Sequence, residues 1–273
     1  MATSVREQHQ SIAPGESMLR RAGQAWFLVA AAGQSAFIWM ILAHYGRKTW
    51  AGNFAGWNDK PIIKGYVPGD SAGNAMFALH VLMAAIVTLG GLLQMIPSLR
   101  RQIPALHRWN GRLFFVVATL MALGGLWLTW GRHTYLSLVS GIAVSIDGVL
   151  ILLCAAIAWR AALRQDFGAH RRWAMRAFMV VNGVWFLRVG IMAWVVVSGG
   201  LGMNDTLSGP ADIVLQFGAY LVPLAMLELY QRGQASSKAA VRHAASAMVM
   251  LMTIVTLAGV GGAIAFMWAP YMR

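Results

Sequence analysis

The chain has 273 residues, of which 58% are hydrophobic and 11% charged, and it carries a formal net charge of +13. Soluble domains carry about 25% charged residues, so a surface that mostly faces water is excluded. A basic excess points to nucleic acid only when it forms a basic face on a soluble body, and here Lys and Arg stand in short clusters between long apolar runs, which excludes that partner as well.

The polar start ends at Arg20 and Arg21, and an apolar run follows from about Ala22 to Tyr45. That run is too long for the apolar part of a signal peptide and fits a spanning helix, with the arginine pair as its cytoplasmic flank. The segment 47–73 then contains Trp50, Trp57, Pro61, Tyr66 and Pro68, an aromatic content that predicts an ordered cap on the bundle. Six more apolar runs follow at 74–98, 113–130, 138–159, 177–199, 212–230 and 246–268. Each is near the ~20 residues that a span needs. The expected fold is all-α, a polytopic transmembrane helical bundle of about seven spans, forming a single integral membrane domain over residues 1–273.

Basic residues alternate between the connections. Arg6, Arg20 and Arg21 precede span 1, and Arg100, Arg101, Arg108 and Arg112 join spans 2 and 3. Arg160, Arg164, Arg171, Arg172 and Arg176 join spans 4 and 5, and Arg232, Lys238 and Arg242 join spans 6 and 7. The other side has Arg47, Lys48, Lys60 and Lys64 in the long first loop, then Arg132 and Arg273, while Asp205 and Asp212 mark the fifth connection. The positive-inside rule places the N-terminus in the cytoplasm and the C-terminus outside. Trp127, Trp130, Trp268 and Tyr271 would form the outer aromatic belt, and Trp109, Trp159 and Trp173 the inner one.

The lone cysteine, Cys154, lies in an apolar run and forms no intramolecular disulfide. The 29 glycines suit close helix packing, and the methionines, Met248, Met250 and Met252 included, read as flexible packing residues. An Arg-rich pattern recurs: Leu99-Arg100, His107-Arg108-Trp109 and Arg112 return as Leu163-Arg164, His170-Arg171-Arg172-Trp173 and Arg176, with the His slipped by one position. Two parallel hairpin repeats, 74–136 and 138–200, would explain it, as would the ordinary need for cytoplasmic arginine.

The segments Leu79-His80, Gly90-Gly91-Leu92-Leu93-Gln94, Leu106-His107-Arg108-Trp109-Asn110-Gly111-Arg112 and His170-Arg171-Arg172-Trp173-Ala174-Met175-Arg176, together with Arg188, resemble the bacterial membrane-protein family called domain of unknown function 2306. The resemblance spans about residues 74–190. It implies a multi-pass protein of the bacterial inner membrane and no established activity. The short Leu-His-x-Trp-x-Gly string is also similar to one in cytochrome b561 proteins, which carry haem b between helices; a set of four His ligands at matched depths is absent.

His80 lies roughly 9 Å inside the outer edge of span 2, at 1.5 Å per residue. It is either satisfied across helices or a ligand, with His44 and His133 as candidate partners. His107 and His170 begin spans 3 and 5, where Pro104 can open the helix and Gly111 leaves room for a flat ring. They are candidate metal ligands for haem b, and Arg108, Arg112 and Arg176 are candidates for its propionates or for anionic lipid headgroups. The bland reading of the same cluster is a structural or headgroup anchor, since His107 lies about 9 Å below the hydrocarbon if that starts near Leu113. Asp147 and Arg188 are the two intramembrane charges, at roughly 18 Å and 16 Å from the inner ends of spans 4 and 5. Similar depth on consecutive spans makes a charge pair the expected solution to burying both.

No residue pattern designates catalytic groups: span 7 has no Lys for a retinal Schiff base, and phosphate-loop, zinc-protease and nucleophile-elbow motifs are absent. Two function classes remain. One is a b-type haem electron carrier working with a quinone or redox partner. The other is a protein without a redox cofactor, either a small-molecule or ion transporter centred on Asp147 and Arg188 or an assembly factor.

Overall fold

The computed structural model describes residues 14–60 and 64–272, so Arg6, Pro61 and Arg273 lie outside the described residues. Ten α-helices and no strand occur among the described residues. The first, α1 (Glu16–Ile41), widens into a π-turn at Leu42–Gly46 and continues through the short α2 (Arg47–Trp50). α3 (Ser71–Gln94) and α5 (Pro104–Trp130) form a hairpin through the surface helix α4 (Pro97–Gln102). α6 (Leu138–Leu163) is followed by a broken pair, α7 (Phe167–Val181) and α8 (Gly183–Ser198), bent by 55° at Asn182. α9 (Pro210–Ala235) and α10 (Ala239–Gly262) close the bundle, and α10 ends in a π-turn at Ala263–Trp268.

The starts are encoded locally. Proline opens α4, α5 and α9, where its missing N–H would lack a partner anyway. Asp70, Ser137 and Asp166 cap α3, α6 and α7 by accepting from the N–H three residues on. Six helical segments, or seven with the broken pair as one, are long and apolar enough to cross a membrane. The polytopic all-α bundle expected from the sequence is the observed architecture.

α1 lies along α10, α6 along α7 and α3 along α5. Small residues permit this closeness: side chains of Trp185 and Val260 press on Gly33, and the backbone of Val189 lies directly on Gly259. One core gathers α1, α8 and α10 around Trp26, Met40, Trp185 and Trp268, and a second gathers α5, α6 and α7 around Phe114, Phe115, Ala158 and Val180. Leu120, Val149, Val222, Ile254 and Leu257 remain exposed around the outside, as lipid contact requires.

The first loop is a cap. Trp57 is buried against Phe77, and its indole N–H donates to Thr49. Lys48 pairs with Asp59 at 2.6 Å, and Arg132 binds Asp70 at 2.8 Å and Asn74 at 2.7 Å, tying the end of α5 to the start of α3. One expectation for the aromatic belt is corrected. Trp268 is fully buried against Phe37, because the π-turn that ends α10 carries it over the core rather than out to the interface.

Candidate functional site

The arginine-rich ends of the helices surround a cavity of about 890 Å³. Its wall takes Trp26 and Phe27 from α1, Gln94 from α3, Phe114 and Phe115 from α5, Trp159 from α6, Phe178 from α7 and Tyr230 from α9. His107 and His170 both line it, with Arg100, Arg108, Arg112 and Arg171. His107 also lies within electrostatic reach of His170, Arg100 and Arg108.

Each histidine is placed by its own hairpin. Pro104 starts α5 one turn before His107, as the sequence predicts. Gln94 donates to the His107 carbonyl at 2.9 Å, and Asn110 donates to the Gly90 carbonyl at 2.8 Å, so two side chains clasp α3 to α5 beside the cavity. The His107 ring nitrogen Nδ1 is buried without a hydrogen-bond partner. On the facing hairpin, Asp166 caps α7 and sets His170 in its first turn. His170 Nδ1 lies 3.0 Å from the Ala158 carbonyl of α6. A carbonyl only accepts, so Nδ1 carries the proton and a neutral ring keeps its lone pair on Nε2. Gly111 leaves this wall open: an added Cβ would first meet the Gln94 side chain, at an ordinary contact distance of 3.4 Å.

The arginines divide. Arg112 stacks on Trp109 at 4.8 Å and, with Arg108, stays at the cavity. Arg176 does not line it: its guanidinium pairs with Glu228 of α9 and stacks on Trp173, which commits it to joining α7 and α9. His80 lies elsewhere, against Gly125 of α5, with its Nδ1 buried and unpartnered. Neither expected partner reaches it. His44 is packed between Tyr45 and Tyr271, and His133 lies beside Tyr135.

The structure separates Asp147 and Arg188. The ion pairs among the described residues join Lys48 to Asp59, Arg132 to Asp70 and Arg176 to Glu228. Asp147 rests on Gly183, whereas Arg188 donates to its own helix at Val184 and lies over Phe37 of α1. The reason is helical phase. Arg188 follows Gly183 by five residues, which at 100° and 1.5 Å each puts it about 140° around and roughly 7.5 Å further out.

The model of the family described as "Predicted membrane protein (DUF2306)" matches residues 77–231, more than half of the chain. The chain belongs to that family. The DUF2306 match runs from α3 into α9 and so includes both histidine hairpins and the broken span. No curated protein and no solved structure matches the chain. Among the described residues no group of three or more His, Cys, Asp or Glu side chains could hold a metal ion.

Sequence reasoning passed over Gln94 and Asn110 as site residues although both stand in the motifs that carry the resemblance. Their signal was a polar amide beside glycine in an apolar helix, which in lipid must find a partner across a close contact. Lys60 was read as a loop charge. Its ammonium is part-buried, 4.0 Å from Met40 Sδ and over the Tyr271 ring, a contact between distant segments that no local pattern announces.

Proposed function

We propose that this protein binds haem b in the cavity at its basic end, where His107 and His170 would hold the iron, and carries electrons within the membrane. The observation that carries this reading is that two histidines from opposite hairpins line one large cavity with arginines at the same end. His170 supports it further, since a ligating imidazole usually gives its other N–H to a carbonyl, as Nδ1 does here to Ala158. The unpartnered His107 nitrogen is a buried donor or acceptor that a ligand or its edge would satisfy. Aromatic rings from α1 and α5 suit the apolar faces of a flat molecule, and Arg108 and Arg112 suit carboxylate ends. Bound haem would supply one-electron chemistry, and the donor and acceptor would be a quinone or a redox protein. The basic end would face the cytoplasm of a bacterial cell.

A second reading rests on the methionines of the same wall, Met95, Met175, Met179 and Met226. Thioether side chains adapt to varied shapes, which favours transport or storage of an amphipathic anion without iron. The test is a reduced-minus-oxidised absorption spectrum of protein purified from haem-replete cells. A b-type difference spectrum is expected, lost in His107→Ala and in His170→Ala and diminished when Gly111→Leu fills the cavity. Folded wild-type protein without haem would defeat the electron-carrier reading and leave the second.

A further inference from the structure

α1 and α10 lie along each other, and each widens into a π-turn at its C-terminal end, Leu42–Gly46 in the first and Ala263–Trp268 in the second. Ring contacts between Phe37 and Trp268 and between His44 and Tyr271 put the two turns at the same level. A π-turn forces an extra residue into the helical ladder, and such turns are found frequently at functional sites. Beside this doubled irregularity lies a second cavity, of about 470 Å³, at the other end of α1 from the arginine-rich one. His44, Arg47 and Lys48 line it from the end of α1 and α2, Asn53 and Asp59 from the cap, and Tyr271 from the segment after α10.

This lining is rich in hydrogen-bond donors. Lys48 Nζ donates to His44 Nδ1 at 3.3 Å, to the Gly56 carbonyl at 2.7 Å and to Asp59 at 2.6 Å. An ammonium only donates, so His44 Nδ1 keeps a lone pair and Nε2 carries the ring proton. That Nε2–H is buried without a hydrogen-bond partner. Asn53 Oδ1 accepts from the Gly56 N–H at 3.1 Å, which leaves the amide nitrogen as the donating end of the side chain. Arg47 brings five N–H groups, more than any one partner uses. Asp59 is the acidic side chain among the described lining residues, and Lys48 already engages it.

We propose that this cavity binds the phosphate group of a glycerol-phosphate-sized organic molecule, either a soluble phosphomonoester or a phospholipid headgroup. Donors converge on it from three separate segments, the end of α1, the cap and the segment after α10. A tetrahedral phosphate with acceptor oxygens on every side suits that arrangement better than a planar carboxylate. The volume exceeds what inorganic phosphate needs and falls in the range of small-molecule sites. Trp50, three residues beyond Arg47, is 95% exposed, an indole placed as interfacial anchors are. The cavity shares no lining residue with the one that holds His107 and His170, so the proposal stands or falls independently of the haem reading.

The test is equilibrium binding of radiolabelled glycerol 3-phosphate and of short-chain phosphatidylglycerol to purified full-length protein in a non-ionic detergent. Saturable binding of at least one of them, at one site per chain, is expected. Uptake of glycerol 3-phosphate identifies a soluble organophosphate, and uptake of the lipid alone identifies a headgroup. Arg47→Gln should weaken the affinity roughly tenfold, as loss of a charge-assisted hydrogen bond does, and Asn53→Ala should weaken it less. Thermal midpoints of both variants check that they fold. Absence of saturable binding of either compound to the wild-type protein would overturn the proposal, and that measurement needs no variant. Binding undiminished in both folded variants would also overturn it, by placing the anion elsewhere.

Discussion

Lys60 lies in the outer cap with its ammonium pressed toward Met40 and the Tyr271 ring. Burial, reinforced by the Arg188 guanidinium, holds its pKa down from 10.5 to about 8. The sign follows from proton counting. Between about pH 8 and 10.5 the unfolded chain binds more protons at this residue than the folded one, so stability rises with pH across that window. Below it, the full penalty of the buried charge persists. Lys60→Met is therefore expected to raise the thermal midpoint at pH 7, with the gain shrinking to nothing as the pH approaches 10.5. Midpoints of both proteins measured at several pH values check this; a gain that does not change with pH would show that packing, not charge, is responsible. Arg176 teaches a related lesson at the same scale. In the sequence it looks like its neighbours Arg171 and Arg172, yet Glu228 on α9 claims it, and only a contact across 52 residues reveals that.

The fifth span shows how an element departs from its hydropathy pattern. Residues 177–199 read as one apolar run, but Asn182 turns out of the helix and its side chain bonds back to Phe178. Asn competes with the helical ladder through such local bonds, so a break here has a chemical origin in the residue itself. Gly183 completes it, because a side chain at 183 would overlap the Asp147 carboxylate. Gly183→Ala is expected to destabilise the protein by about 1–3 kcal/mol, the usual range for overpacking, despite the better helix propensity of Ala. Asp147→Ala should relieve most of that loss in the double variant, and a thermal-unfolding cycle of the four proteins measures the coupling. Additive effects would mean that the close approach of Asp147 and Gly183 carries no energy. The two hairpins differ here as well: α5 is continuous where the second hairpin is broken into α7 and α8, so a shared motif at the helix starts does not extend to the whole element.

At the scale of the molecule, six segments, or seven with the broken pair as one, are long and apolar enough to cross a membrane, and with seven spans the alternating arginine clusters are expected to put the termini on opposite sides, N-terminus inside. Reporter fusions at Gly131, Gly168 and the C-terminus are expected to report outside, inside and outside. A C-terminal reporter active only in the cytoplasm would mean that the broken pair α7–α8 does not cross, leaving six spans. The apolar runs, the Pro104 start and the basic ends were legible in the chain, because helix formation and membrane insertion depend on short windows of sequence and on backbone groups that lipid leaves no other way to satisfy. Which polar residues meet was not. Similar depth suggested that Asp147 faces Arg188, but the break and the helical phase turned one onto Gly183 and the other over Phe37. His107 and His170 were paired as candidate ligands from the sequence, while the cavity that both line exists only because two hairpins fold face to face. Depth in a membrane is a property of chain position, whereas facing is a property of packing, and packing is decided by side chains far apart in the sequence.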